Sequence, residues 1–202
     1  YGKLMKAYYA KQDAEKLSGK GDTSQKLTLM KTSADSLKKS ADALNDSSLW
    51  EKKKIKKKDE KTGEEIAVED YDWDKITKAV KSFVEDYNDV VKEAGESNTK
   101  DVLRNASWMT GMTDKNSNML AKIGITIGKG NKLELDEDAL KQADISSLKT
   151  VFTGYNSFVS KISQKATGIS NAANRASATY TNNGTYSKTD SSLTSSKIDK
   201  EV

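Results

Sequence analysis

Residues Leu27–Leu44 read LTLMKTSADSLKKSADAL, and this stretch decides the fold. Leu27, Met30, Ala34, Leu37, Ala41 and Leu44 fall alternately three and four residues apart. That spacing places all six on one stripe of an α-helix, the seam along which two long helices pack. It predicts a helix from about Thr23 to Asn45. A second seam follows at Ile76, Val80, Phe83, Tyr87, Val90 and Ala94, predicting a helix from about Asp74 to Gly95. A third runs through Tyr155, Val159, Ile162, Ala166, Ile169, Ala173, Ala176 and Tyr180, in a last long helix that starts near Ser146 or Gly154. The portion Tyr155–Tyr180 would extend about 39 Å at 1.5 Å per residue. A further helix over Thr99–Thr113 turns Val102, Leu103, Ala106 and Met109 inward.

Two stretches between the helices break the helical period. The first joins a basic arm, Trp50-Glu-Lys-Lys-Lys-Ile-Lys-Lys-Lys58, to an acidic arm, Glu64-Glu-Ile-Ala-Val-Glu-Asp-Tyr71, with Gly63 at the turn. Opposite charges on the two arms favour their pairing as a β-hairpin. The second, Ile123–Leu135, alternates around Gly128 and Gly130 and predicts another hairpin. Asp136 then N-caps a short helix through Leu140. The expected fold is mainly α: an elongated antiparallel helical bundle or coiled coil with two small β-hairpins. Its expected parts are an N-terminal helical arm over 1–22, a bundle over 23–176 with hairpins near 50–71 and 123–135, and a flexible Ser/Thr-rich tail over 177–202. The arm carries Leu4, Met5, Tyr8 and Tyr9 on one side and ends at the Gly19-Lys-Gly21 break.

Composition removes most catalytic chemistry. The 202 residues include no Cys and no His, so thiol and imidazole nucleophiles, bases and metal ligands are absent. Carboxylate or lysine chemistry survives, but no pair stands out. There is no Pro, which suits uninterrupted helices. Hydrophobic residues make up 35% and charged residues 32%, a supply matched to helices that bury one stripe each. No apolar run is long enough to span a membrane. The chain opens at Tyr1 rather than Met, which reads as a trimmed or processed product.

Several motifs admit a sharper functional role beside an ordinary structural one. Lys52–Lys58 could meet phosphates, but Glu64, Glu65, Glu69 and Asp70 cancel the field a polyanion needs, so no nucleic acid is expected. Trp50, Tyr71 and Trp73 read as rings covering the root of the hairpin rather than as base-stacking platforms. Gly128 and Gly130 lack the third glycine of a phosphate loop. Asp136, Glu137 and Asp138 do not follow calcium-loop spacing, so neither metal nor cofactor is expected. The seams themselves allow two readings: an ordinary intramolecular bundle, or a seam that another chain completes. For the second reading the candidate assembly surface is Leu4, Tyr8, Ile162, Ala166, Ile169, Ala173 and Ala176.

Three segments together resemble the C-terminal conserved region of the flagellar filament cap protein family, also called hook-associated protein 2. They are Ala79-Val-Lys-Ser-Phe-Val-Glu-Asp-Tyr-Asn-Asp-Val90; Met119-Leu-Ala-Lys-Ile-Gly-Ile125 with Gly130-Asn-Lys-Leu-Glu-Leu-Asp136 and Leu140; and Val151-Phe-Thr-Gly154 before a long closing helix. The resemblance covers Ile76 to Arg175. It implies a cap at the growing filament tip that promotes flagellin insertion, export without a cleaved signal peptide, an extracellular location, and homo-oligomers or other flagellar axial proteins as partners. It also implies no cofactor and no enzymatic activity. Cap proteins carry large outer domains where this chain has only the Trp50–Tyr71 hairpin, so the expected protein is a reduced relative, either a cap or a minor axial component. The alternative is a secreted or surface helical binding module with no flagellar role.

Overall fold

The computed structural model describes the backbone of residues 21–58, 65–180 and 186–188. Helix α1, Ser24–Asn45, starts where the Thr23 hydroxyl accepts from the Lys26 amide, and its six seam residues are all buried. Helix α2, Trp73–Gly95, is capped by Asp72 accepting from the Lys75 amide and buries the whole second seam. Helix α3, Lys100–Lys115, turns Val102, Leu103, Ala106 and Met109 inward.

The last long helix does not run on from Ser146: Ile145–Phe152 forms a separate helix, and the long helix begins only at Phe158. In the order of the chain, the helices after α3 are α4 (Ser117–Ala121), α5 (Glu137–Gln142), α6 (Ile145–Phe152) and α7 (Phe158–Ser177). The break between α6 and α7 has local causes. Gly154 adopts a positive φ of 98°, which ends a helix cheaply only at glycine. The Ser157 hydroxyl then accepts from the Ser160 amide and starts α7 afresh. Tyr155 therefore lies outside the helix and is 83% exposed, and Tyr180 lies beyond its end. Both were expected on the seam.

Helices α1, α2, α3 and α7 form an up-down-up-down bundle. α1 packs on α7 and α2, and α3 packs on the same two. Contacts between named residues fix the directions. Asn45 at the end of α1 accepts from the Gly154 amide just before α7, and Ser163 donates to Asp42 at 2.7 Å. At the other end, Arg175 of α7 lies 3.4 Å from Asp101 at the start of α3. Each helix thus runs antiparallel to both of its neighbours, as the first two seams predicted for α1 and α2.

One carboxylate closes the end of the bundle where α2 turns into α3. Asp22 accepts from the Ser97 hydroxyl (2.6 Å), the Asn98 amide (2.9 Å), and the Thr99 amide (2.9 Å) and hydroxyl (2.7 Å). Lys26 sits 3.4 Å from Asp22 and donates to the Glu96 carbonyl. These bonds satisfy amides that a helix start leaves free.

Three two-stranded antiparallel ladders complete the described chain. Strands β1 (Lys53–Lys58) and β2 (Glu65–Asp70) form the charged hairpin between α1 and α2. Strands β3 (Ile125–Ile127) and β4 (Leu133–Leu135) form the second hairpin. Gly130 (φ 72°) and Asn131 (φ 63°) make its turn. Asp136 accepts from the Asp138 and Ala139 amides and starts α5, as expected. Strands β5 (Ala178–Tyr180) and β6 (Tyr186–Lys188) pair within the segment expected to be a flexible tail. The expected N-terminal helix lies outside the described residues, as do 189–202. Among the described residues no helix is long and apolar enough to cross a membrane.

Candidate assembly surface

The segments that carried the family resemblance meet in space through side chains with distinct tasks. Phe83 packs edge-on against Phe158 of α7, with ring centroids 6.3 Å apart and planes at 80°. The Tyr87 hydroxyl donates to Thr113 Oγ1 of α3 at 2.9 Å, and Thr113 in turn donates to the Met109 carbonyl. Burial pushes the Tyr87 phenol well above its ordinary range, so it stays a neutral donor. Asn88 grips the second hairpin: its amide nitrogen donates to the Leu133 carbonyl (2.9 Å) and its oxygen accepts from the Leu133 amide (2.7 Å). Gly124 lets that hairpin approach α5. Its φ is 80°, and a Cβ there would lie 2.6 Å from the Asp136 carbonyl oxygen and 2.9 Å from the Leu140 nitrogen.

The third segment docks on the far end of α1. Phe152 stacks on Trp50, which is fully buried and donates from Nε1 to the Leu44 carbonyl at 2.8 Å. Trp50 lies just before β1, at the root of the charged hairpin, and is also a core residue that joins α1 to α6. Tyr71 and Trp73 also stand at that root, edge to face, with Lys52 Nζ 5.7 Å from the Tyr71 ring centroid.

The expected assembly stripe has a different occupant. Ile162, Ala166, Ile169 and Ala173 are fully buried in α7, the helix that α1 and α3 flank. Their seam is filled within the chain, so these four positions form bundle interior and are not an open surface. The reason is complementary spacing: α1 offers Ala34 and Ala41 where α7 offers Ala166 and Ala173, and small residues let two helices approach closely. Polar side chains flank this contact. Asp35 and Asp42 take hydrogen bonds from Ser170 and Ser163 respectively. Burial works to raise both carboxyls, but those hydroxyls and the nearby Lys31 and Lys38 outweigh it and hold them below the usual range. Ala176, near the end of α7, is only partly buried against the core. Leu4 and Tyr8 lie outside the described residues.

What the bundle presents outward is mainly charge. The charged hairpin exposes Lys53, Lys54 and Lys56 on β1 and Glu65 and Glu69 on β2. Lys54 stands opposite Glu69 in the register, and Lys56 Nζ is 3.2 Å from Glu65. Ile55 and Val68, also opposite one another, are half-buried. Large apolar side chains are exposed singly: Leu29 on α1, Trp108 on α3 beneath Lys165 Nζ at 5.5 Å from its ring centroid, and Tyr155. A shallow groove between α1 and α2 is lined by Ser36, Ser40, Ala43, Ser82 and Asp86. Burial raises the Asp86 carboxyl, against a hydrogen bond from Ser40, and the neighbouring Asp89 and Glu85 raise it further. Among the described residues no cluster of three or more acidic side chains is placed to hold a metal ion.

No curated protein and no solved structure matches the chain. The family model of the flagellar hook-associated protein 2 C-terminus matches residues 97–201, just over half of the sequence. The match begins at the turn into α3 and takes in α4 to α7, both ladders that follow the charged hairpin, and two of the three resembling segments. By that match, the chain belongs to the flagellar hook-associated protein 2 family.

Proposed function

We propose that this chain is a structural component of the bacterial flagellum, cap-like or hook-associated, exported to the cell exterior and acting by self-association and contact with other axial proteins. The observation that carries this reading is the family match over α3 to α7, combined with a bundle whose polar groups serve packing. Asp22, Tyr87, Asn88 and Trp50 all spend their hydrogen bonds on joining elements. Because the α7 seam is filled internally, contact with other chains falls to the outer faces of the bundle, to the segment bearing Leu4 and Tyr8, and to the half-buried Ala176 end of α7.

Deleting the gene tests this. The reading expects cells with shortened or absent filaments and flagellin released into the medium, restored by the full chain supplied in trans. Filaments of normal length and number in the deletion strain would instead favour a secreted or surface binding module.

A further inference from the structure

We infer that the charged hairpin is a docking edge for a second copy of this chain, with β1 of one copy pairing along β2 of the next. This deepens the self-association reading and rests on it. A two-stranded ladder has two outer edges, and among the described residues no third strand covers either one. Unpaired edge amides and carbonyls are a template for another strand.

The charges decide which strand fits. β1 carries lysine at five of its six positions, Lys53, Lys54, Lys56, Lys57 and Lys58. β2 carries Glu65, Glu69 and Asp70. Lysine at an edge ordinarily keeps sheets apart. Here it prevents β1 from meeting β1, and the carboxylates prevent β2 from meeting β2. Only β1 on β2 brings opposite charges together, and the hairpin already uses that combination internally, with Lys54 across from Glu69 and Lys56 bonded to Glu65. The resulting contact is head-to-tail. It uses two different surfaces on each copy and so builds a ring or an open row, not a closed pair. Exposed ion pairs are individually weak and screened by salt. The edge therefore sets direction and register in an assembly and dissolves at high ionic strength.

The test uses a charge-exchanged full-length chain, with Lys54→Glu, Lys56→Glu, Glu65→Lys and Glu69→Lys together. All four positions are exposed, and complementarity within the hairpin is preserved. Each protein alone should form oligomers at low salt that dissociate at high salt. In a mixture, wild-type β1 would meet lysine-bearing β2, so mixed oligomers should fall roughly tenfold below the statistical fraction, as read by cross-linking and mass spectrometry. Hydrogen exchange on the parent is an independent check: amides of residues 53–58 and 65–70 should gain protection as concentration rises. Statistical mixing, or association without added hairpin protection, overturns the edge and leaves self-association standing. A parent that is monomeric at high concentration in low salt overturns both.

Discussion

Asn88 holds Leu133 by both of its backbone groups, at 2.9 and 2.7 Å, so one side chain of α2 takes the place of a neighbouring strand. Leu133 belongs to β4 and is nearly inaccessible, and its amide and carbonyl have no water to turn to. Asn88→Ala should destabilise the fold by about 2 kcal/mol, because it strands two inward backbone groups. Asn88→Asp keeps the acceptor but loses the donor, and its carboxylate would face the Leu133 carbonyl. It should be at least as harmful at neutral pH. Urea unfolding of the three proteins measures both effects.

Trp50 and Phe152 lie face to face, with centroids 5.3 Å apart and planes 9° from parallel. They join the start of the charged hairpin to α6, so truncation opens a cavity between two elements. Trp50→Ala should cost about 3–5 kcal/mol. Trp50→Phe retains most of the ring and loses the bond to the Leu44 carbonyl, at about 1 kcal/mol. If the two substitutions shift the denaturation midpoint equally, the stacking contributes little.

Gly168 of α7 lies close against Asn105 of α3. A Cβ there would lie 2.6 Å from Asn105 Oδ1 and 2.9 Å from its Cγ, while Asn105 Nδ2 donates to the Asp101 carbonyl. Gly168→Ala alone should therefore destabilise the bundle despite the better helix propensity of alanine. In an Asn105→Ala background the same change should stabilise by about 1 kcal/mol. A double-mutant cycle checks the reversal of sign.

Acid should unfold the bundle through its serine-bonded carboxylates. Asp22, Asp35 and Asp42 have folded pKa values below the ordinary 3.8. For Asp22, burial acts to raise the value, and the Ser97, Asn98 and Thr99 hydrogen bonds and Lys26 overcome it. The unfolded chain then binds protons first, so the stabilisation is complete above that ordinary value and is lost as pH falls through the lowered ones. Asp86 works in the opposite direction. Its raised folded pKa makes its ionised form a cost, which protonation relieves as pH falls toward the ordinary range. Asp86→Asn should thus stabilise at neutral pH and lose its advantage in acid, whereas Asp22→Asn should destabilise at neutral pH and matter least at the lowest pH. Thermal melts across a pH series distinguish the two.

Much of this architecture was legible because heptad spacing is a local signal. Every position of the first two seams is buried, and the α1–α2 antiparallel pair follows from them. The first hairpin announced itself by the opposite charges of its arms, the second by alternation. The third seam misled at its ends, since Gly154 and Ser157 interrupt the helix without disturbing the spacing of Tyr155 and Val159. Glycine followed three residues later by a serine cap is a stop-and-restart signal that could have been read. The internal filling of the Ile162–Ala173 stripe was not legible, because a seam shows what it wants to meet and not whether the partner lies in the same chain. Asn88 and Asp22 were equally silent: each acts on backbone 45 or more positions away.

On the proposed function, this protein works as a part of the flagellum and not as a free module. Immunogold labelling of intact cells with antibody raised against the full chain tests it most directly. Label should be confined to flagella, at the filament tip or the hook–filament region, and the protein should be recovered with sheared flagella. Label spread over the cell surface, with the protein found in the medium and not in the sheared fraction, would contradict it.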